Sequence, residues 1–128
     1  MHAMNLKLLI VDDSRMSRMI LQGLVQQHQP QWSVVHASTG DEAIAIVREQ
    51  AIDLVSMDFN MPGMNGLEAV AAMRQHRPGL PVALMTANVQ AAVQQQAQAM
   101  NVLFLPKPIT ADAVHRMAAL LDQPQGEA

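Results

Sequence analysis

The chain alternates short unbroken apolar runs with longer segments whose apolar positions recur every three or four residues. Lys7–Val11, Leu54–Asp58 and Val82–Thr86 are runs of strand length without polar alternation, as expected of strands covered on both faces. Trp32–Ala37 and Val102–Leu105 continue the series, the first less apolar and suited to a sheet edge. Met16, Met19, Ile20 and Leu24 recur at helical spacing and predict a helix over about Ser14–His28, with Ser14 a good N-cap. After a turn at Ser38–Glu42, Ala43, Val47 and Ala51 give a second helix a thin apolar stripe. A third helix runs from about Gly66 to His76 with Leu67, Val70 and Ala71 inward. Val89, Ala92, Val93, Ala97 and Met100 mark a fourth, whose other face is glutamine (Gln90, Gln94, Gln95, Gln98). Thr110 caps a fifth, lined by Val114, Met117, Ala118 and Leu121. Proline and glycine punctuate the series at Gln29-Pro-Gln31, Arg77-Pro-Gly-Leu-Pro81 and Pro106-Lys-Pro108.

Five strands alternating with five helices at intervals of about 25 residues predict an α/β fold with a parallel sheet, helices on both faces and right-handed crossovers. The 128 residues suit one domain. Half the residues are apolar, but the aromatics are only Trp32, Phe59 and Phe104, so the core is aliphatic, with eleven methionines as filler. A net charge of −3 gives no electrostatic footprint for nucleic acid and no basic helix for a membrane surface. Cysteine is absent, which excludes disulfides and thiolate metal sites and fits a reducing cytoplasm. No apolar run resembles a signal peptide or spans a bilayer.

The carboxyl ends of the buried strands carry Asp12-Asp13, Asp58, Thr86 and Lys107. A parallel sheet gathers those ends along one edge, where ligands bind in open α/β folds. Carboxylates about 4 Å apart repel by about 4 kcal/mol per pair at an effective dielectric near 20, so either a pKa rises or a cation enters. Acid oxygens without His or Cys nearby suit a hard cation such as Mg²⁺. Lys107 is a compact charge of the kind that holds phosphate, and Thr86 and the N–H groups after it are donors for phosphoryl oxygens. Together these groups describe phosphoryl transfer onto a carboxylate, with Asp58 as nucleophile.

The acid pair, Asp58 followed by Met61-Pro-Gly-Met-Asn-Gly66, Thr86-Ala87 and Lys107-Pro108 resemble the motifs of the CheY-like receiver domain of two-component response regulators. The resemblance covers about Leu6–Leu121 and implies a (βα)5 doubly wound, five-stranded parallel sheet of order 2-1-3-4-5, flavodoxin/CheY-like. It divides the chain into an N-terminal extension (1–5), a receiver domain (6–122) and a tail or linker start (123–128). It implies that Asp58 accepts a phosphoryl group from a histidine kinase or phosphotransfer protein. Asp13, Asp58 and the backbone carbonyl of Asn60 would ligate Mg²⁺ (Mn²⁺ could substitute), with Asp12 acting mostly through water. Lys107 would hold a phosphoryl oxygen, and Thr86, Ala87 and Phe104 would form the switch. The Lys107–Pro108 peptide is expected to be cis. Phe104 stands where many family members have Tyr. The surface of helix four, strand five and helix five would then engage a downstream protein or output domain in the cytoplasm, and a phosphorylation-dependent dimer is compatible. The domain would not be an enzyme beyond assisting its own phosphorylation and dephosphorylation.

Other classes fit less well. A haloacid-dehalogenase-like phosphatase needs an acid where Asn60 stands. A flavin or nucleotide binder needs a glycine-rich phosphate loop after strand one, where Asp12-Asp13 would repel phosphate. The histidines lack metal-ligand spacing and read as surface residues, and Met61 and Met64 flank the site loop as partly exposed side chains.

Overall fold

A computed structural model describes residues 5–121. Ten elements follow in strict alternation: β1 (Lys7–Val11), α1 (Arg15–His28), β2 (Ser33–Ala37), α2 (Gly40–Glu49), β3 (Leu54–Asp58), α3 (Gly66–His76), β4 (Val82–Thr86), α4 (Ala91–Ala99), β5 (Leu103–Pro106) and α5 (Ala111–Leu120). The strands form one parallel sheet in the order β2-β1-β3-β4-β5. This is the expected (βα)5 architecture. The extension and tail, Asn5 apart, lie outside the described residues.

Parallel register aligns the strand ends. Val11 pairs with Ala37 and Met57, Asp58 with Met85, and Thr86 with Pro106. Alternate residues of each strand feed opposite faces. Leu9, Val55, Met57 and Leu84 pack with α2, α3 and α4, whereas Leu8, Ile10, Leu54 and Met85 pack with α1 and α5. Three helices start on side-chain caps: Ser14 Oγ accepts from Ser17 N–H at 3.2 Å, Thr39 Oγ1 from Glu42 N–H at 3.0 Å, and Asn65 with Glu68 forms a reciprocal capping box. Thr110 stands at the N-cap of α5 but makes no side-chain cap bond.

The structure corrects several details. Periodicity located α1 but not its phase: Leu21 and Val25 are buried, while Met16, Met19 and Ile20 are 73%, 49% and 52% exposed. The helix carries more apolar surface than the sheet can cover, and the chain's path through the Ser14 cap decides which stripe turns inward. On α3 Ala71 is exposed and Ala69 and Met73 are buried instead. Ala51, Val89 and Ala92 are also exposed, the first two because they lie outside their helices. Met61 is buried in the core rather than partly exposed, whereas Met64 is half-buried against it, as expected. β5 begins one residue later than expected and includes Pro106, because Lys107 N–H continues the ladder to the Thr86 carbonyl at 2.8 Å.

Candidate phosphoryl-transfer site at the carboxyl edge of the sheet

The sheet brings Asp12, Asp13, Asp58, Thr86 and Lys107 to one edge. Asp58 ends β3 only 6% exposed, and Thr86 ends β4 fully buried. Asp12 is buried, Asp13 exposed, and one carboxylate oxygen from each of Asp12, Asp13 and Asp58 lies within 4.8 Å of the others. Lys107 Nζ is 3.2 Å from Asp12 Oδ2 and 3.4 Å from Asp58 Oδ1. One ammonium thus faces two carboxylates of a three-carboxylate cluster, and the cluster remains net negative.

Burial, and next the Asp12 charge, raise Asp58 from 3.8 to about 6, against the opposing pull of Lys107 and of an Asn60 backbone hydrogen bond. Burial draws the Lys107 ammonium down, but Asp58 and Asp12 outweigh it and the net shift is upward. The donor set is all oxygen, close enough to share one small ion. It fits a hard divalent cation such as Mg²⁺, which the Asp12–Asp13–Asp58 cluster would hold directly or through water.

Local structure fixes each group. Asp12 N–H continues the sheet to the Ala37 carbonyl at 3.1 Å. Asp12 Oδ1 accepts from Ser14 N–H at 2.9 Å, which ties the acid to the start of α1. Behind Asp58, Phe59 N–H reaches the Met85 carbonyl at 3.3 Å, and Gly66 N–H closes the loop on the Phe59 carbonyl at 3.0 Å. A Cβ at Gly66 would run into the Asp58 carbonyl oxygen and press on Phe59 Cα; only glycine allows α3 to start this close. Thr86 Oγ1 accepts from Asn88 N–H at 2.8 Å. The Lys107–Pro108 peptide is cis. Asn60 and Ala87 are exposed at the rim, and Phe104 is half-buried against the core.

One network was missed in the sequence. Arg18 Nη1 donates to the Asp12 carbonyl at 2.7 Å and its Nε to His36 Nδ1 at 3.1 Å, while His36 Nε2 meets Gln22 Oε1 at 2.5 Å. With Nδ1 accepting from Arg18, the ring carries its proton on Nε2 and donates it to Gln22. Burial first, then Arg18 and Arg15, lowers the His36 pKa, so the neutral ring is favoured. His36 is therefore a half-buried structural partner rather than the surface histidine expected. No spacing rule could have found it, because the partners lie on α1 and β2.

Comparisons agree with this geometry. The response regulator receiver domain model matches residues 8–119. A protein-glutamate methylesterase/protein-glutamine glutaminase of Pyrococcus horikoshii is 32% identical over 122 residues, covering 92% of this chain and 32% of that protein. The sensor histidine kinase AruS of Pseudomonas aeruginosa is 31% identical over 116 residues, 87% of this chain and 11% of the kinase. The chain thus spans about a third or less of these curated relatives. Among solved structures, the chemotaxis protein CheY4 of Vibrio cholerae superposes with a TM-score of 0.80 at 27% identity, covering 90% of this chain and 97% of that one. A CheY-like receiver domain protein of Methanospirillum hungatei shares the fold, with a TM-score of 0.84 at 21% identity over 91% and 94% of the two chains. No helix among the described residues is long and apolar enough to cross a membrane. Fold, acid cluster and family match converge: this chain belongs to the response regulator receiver domain family.

Proposed function

We propose that Asp58 is the phosphoacceptor, taking its phosphoryl group from the phosphohistidine of a histidine kinase or phosphotransfer protein in the cytoplasm. The observation that carries this reading is the placement of a buried acid at the end of β3 within 3.4 Å of Lys107 and beside two further carboxylates. An Asp58 oxygen attacks phosphorus, the phosphorus–nitrogen bond to the donor imidazole breaks, and the imidazole leaves with the electron pair. Asp13, Asp58 and the Asn60 carbonyl hold Mg²⁺ or Mn²⁺, with Asp12 supporting through water. When bound, that ion supplies positive charge against the phosphoryl oxygens. Lys107 takes one phosphoryl oxygen, exchanging a carboxylate partner for a phosphate one.

Phosphorylation adds close to two negative charges and strong acceptors at the end of β3, beside Thr86 at the end of β4. The Thr86 hydroxyl, now accepting from Asn88 N–H, turns to donate to the phosphoryl group. That shift opens room for Phe104 to rotate inward, with Ala87 following. The exposed surface of α4, β5 and α5, including its glutamines, is what a downstream protein or output domain reads. Phe104 has no hydroxyl, so packing alone holds either rotamer. The domain catalyses nothing beyond its own phosphorylation and dephosphorylation. Residues 6–122 form the receiver, flanked by an extension and a tail.

The test is intact-mass measurement after incubation with acetyl phosphate and Mg²⁺, with Asp58→Ala in parallel. One phosphoryl adduct that requires both Mg²⁺ and Asp58 is expected. Absence of an adduct, together with absence of beryllofluoride binding, would sink the reading.

A further inference from the structure

A cavity of about 480 Å³ opens beside Asp58 and runs between α1 and the loop that follows β5. Its volume lies within the roughly 300–1,000 Å³ of small-molecule sites. Asp58, Asp12 and Lys107 stand at one side, and the remaining wall is largely aliphatic: Ile10, Ile20, Leu21, Met85, Pro108 and Ile109. The most buried polar residue of the wall, Ser56, directs its hydroxyl to Met85 Sδ at 3.3 Å. The interior therefore offers a hydrocarbon good contact and offers a sugar or base little to bond with.

We propose that this cavity is a subsite for the apolar tail of a small phosphoryl donor, an acyl phosphate whose acyl chain is longer than acetyl. The proposal rests on Asp58 being the phosphoacceptor. The two parts of such a molecule match the two parts of the site. The dianionic phosphoryl group faces Lys107 and the cation-binding acids, and the chain lies against Ile20, Leu21 and Ile109. In the reaction an Asp58 oxygen bonds to phosphorus and the bond from phosphorus to the acyl oxygen breaks. The carboxylate leaves with the electron pair and needs no proton, so no general acid is required.

The test is the second-order rate of Asp58 phosphorylation, followed by intact mass at fixed Mg²⁺, with acetyl, butyryl and benzoyl phosphate. Each buried methylene is worth about fourfold, so butyryl phosphate, two methylenes longer, should react roughly fifteenfold faster than acetyl phosphate. Ile20→Ser and Ile109→Ser, on the exposed and half-exposed parts of the wall, should bring the butyryl-to-acetyl ratio down toward one, whatever the absolute rates. Equal rates for the three donors on wild-type protein, or a ratio unchanged in both variants, would overturn the subsite and leave the cavity to a side chain of a protein donor. Butyryl or benzoyl labelling where acetyl phosphate fails would support it. Failure of every donor, together with absence of beryllofluoride binding, would remove the phosphoacceptor reading and the subsite together, whereas donors that label Asp58 at equal rates would remove the subsite alone.

Discussion

On the α2–α3–α4 side of the sheet, Leu9, Val55 and Leu84 meet Val47, Val70 and Met73 in a continuous core. On the α1–α5 side, Ile10, Leu21, Met85 and Ile109 belong to the second core cluster but also line the cavity beside Asp58. The same strands supply both faces, residue by alternate residue, so the contrast comes from the helices. The closed side holds the turn from Asp58 into α3, with its capping box and the close approach of Gly66. The open side leaves an apolar-walled cavity next to Asp58, the proposed phosphoacceptor. A receiver needs both properties, since a nucleophile must be held still while its donor still reaches it.

The largest effect that would break this contrast is on the closed face. Leu84→Ala, at a fully buried position, should cost about 3–4 kcal/mol, seen as a lower urea midpoint at unchanged slope. A cost under about 1 kcal/mol would mean that this face is no better packed than the other.

Next comes Asp58 itself. Its rise from 3.8 to about 6 means that the folded state holds a proton more tightly than the unfolded chain. The contribution of Asp58 to stability is therefore greatest below pH 4 and is lost as pH rises through 6, by about 3 kcal/mol at 1.36 kcal/mol per unit. Asp58→Asn should raise stability at pH 7 by up to about 3 kcal/mol, and the gain should fade by pH 4 and shrink in saturating Mg²⁺. Urea denaturation across pH 4–8 checks the sign, and a loss of stability at pH 7 would contradict it.

The smallest effect is the sharpest control. Ile20→Ala, at a half-exposed position on the open side, should cost less than about 0.5 kcal/mol. A loss approaching that of Leu84→Ala would show that the cavity side is closed in solution.

Much of this was legible in the sequence. β1, β3 and β4 were bounded to the residue because a strand buried on both faces reads as an unbroken apolar run, and the acid after such a run has one place to go. Asp12, Asp13, Asp58, Thr86 and Lys107 converge because register, not sequence distance, sets their spacing. What stayed hidden depended on choices between equals. α1 offers Met16, Met19 and Ile20 on one stripe and Leu21 and Val25 on another, and hydropathy does not rank them. Met61 read as partly exposed beside the site loop, although the turn folds it back over the core. His36 became structural only through Arg18 and Gln22 on a neighbouring helix, and a cavity is a failure of distant side chains to meet.

Trp32 is the single tryptophan. It is buried at the amino end of β2, about 15 Å of strand away from the edge that holds Asp58. Its ultraviolet emission therefore reports whether the chain is folded and stays silent when an ion or phosphoryl group arrives. The position next to the acid belongs to Phe59, half-buried against the core. Phe59→Trp would place an indole there and give the site an optical signal of its own, while Trp32 continued to watch the fold.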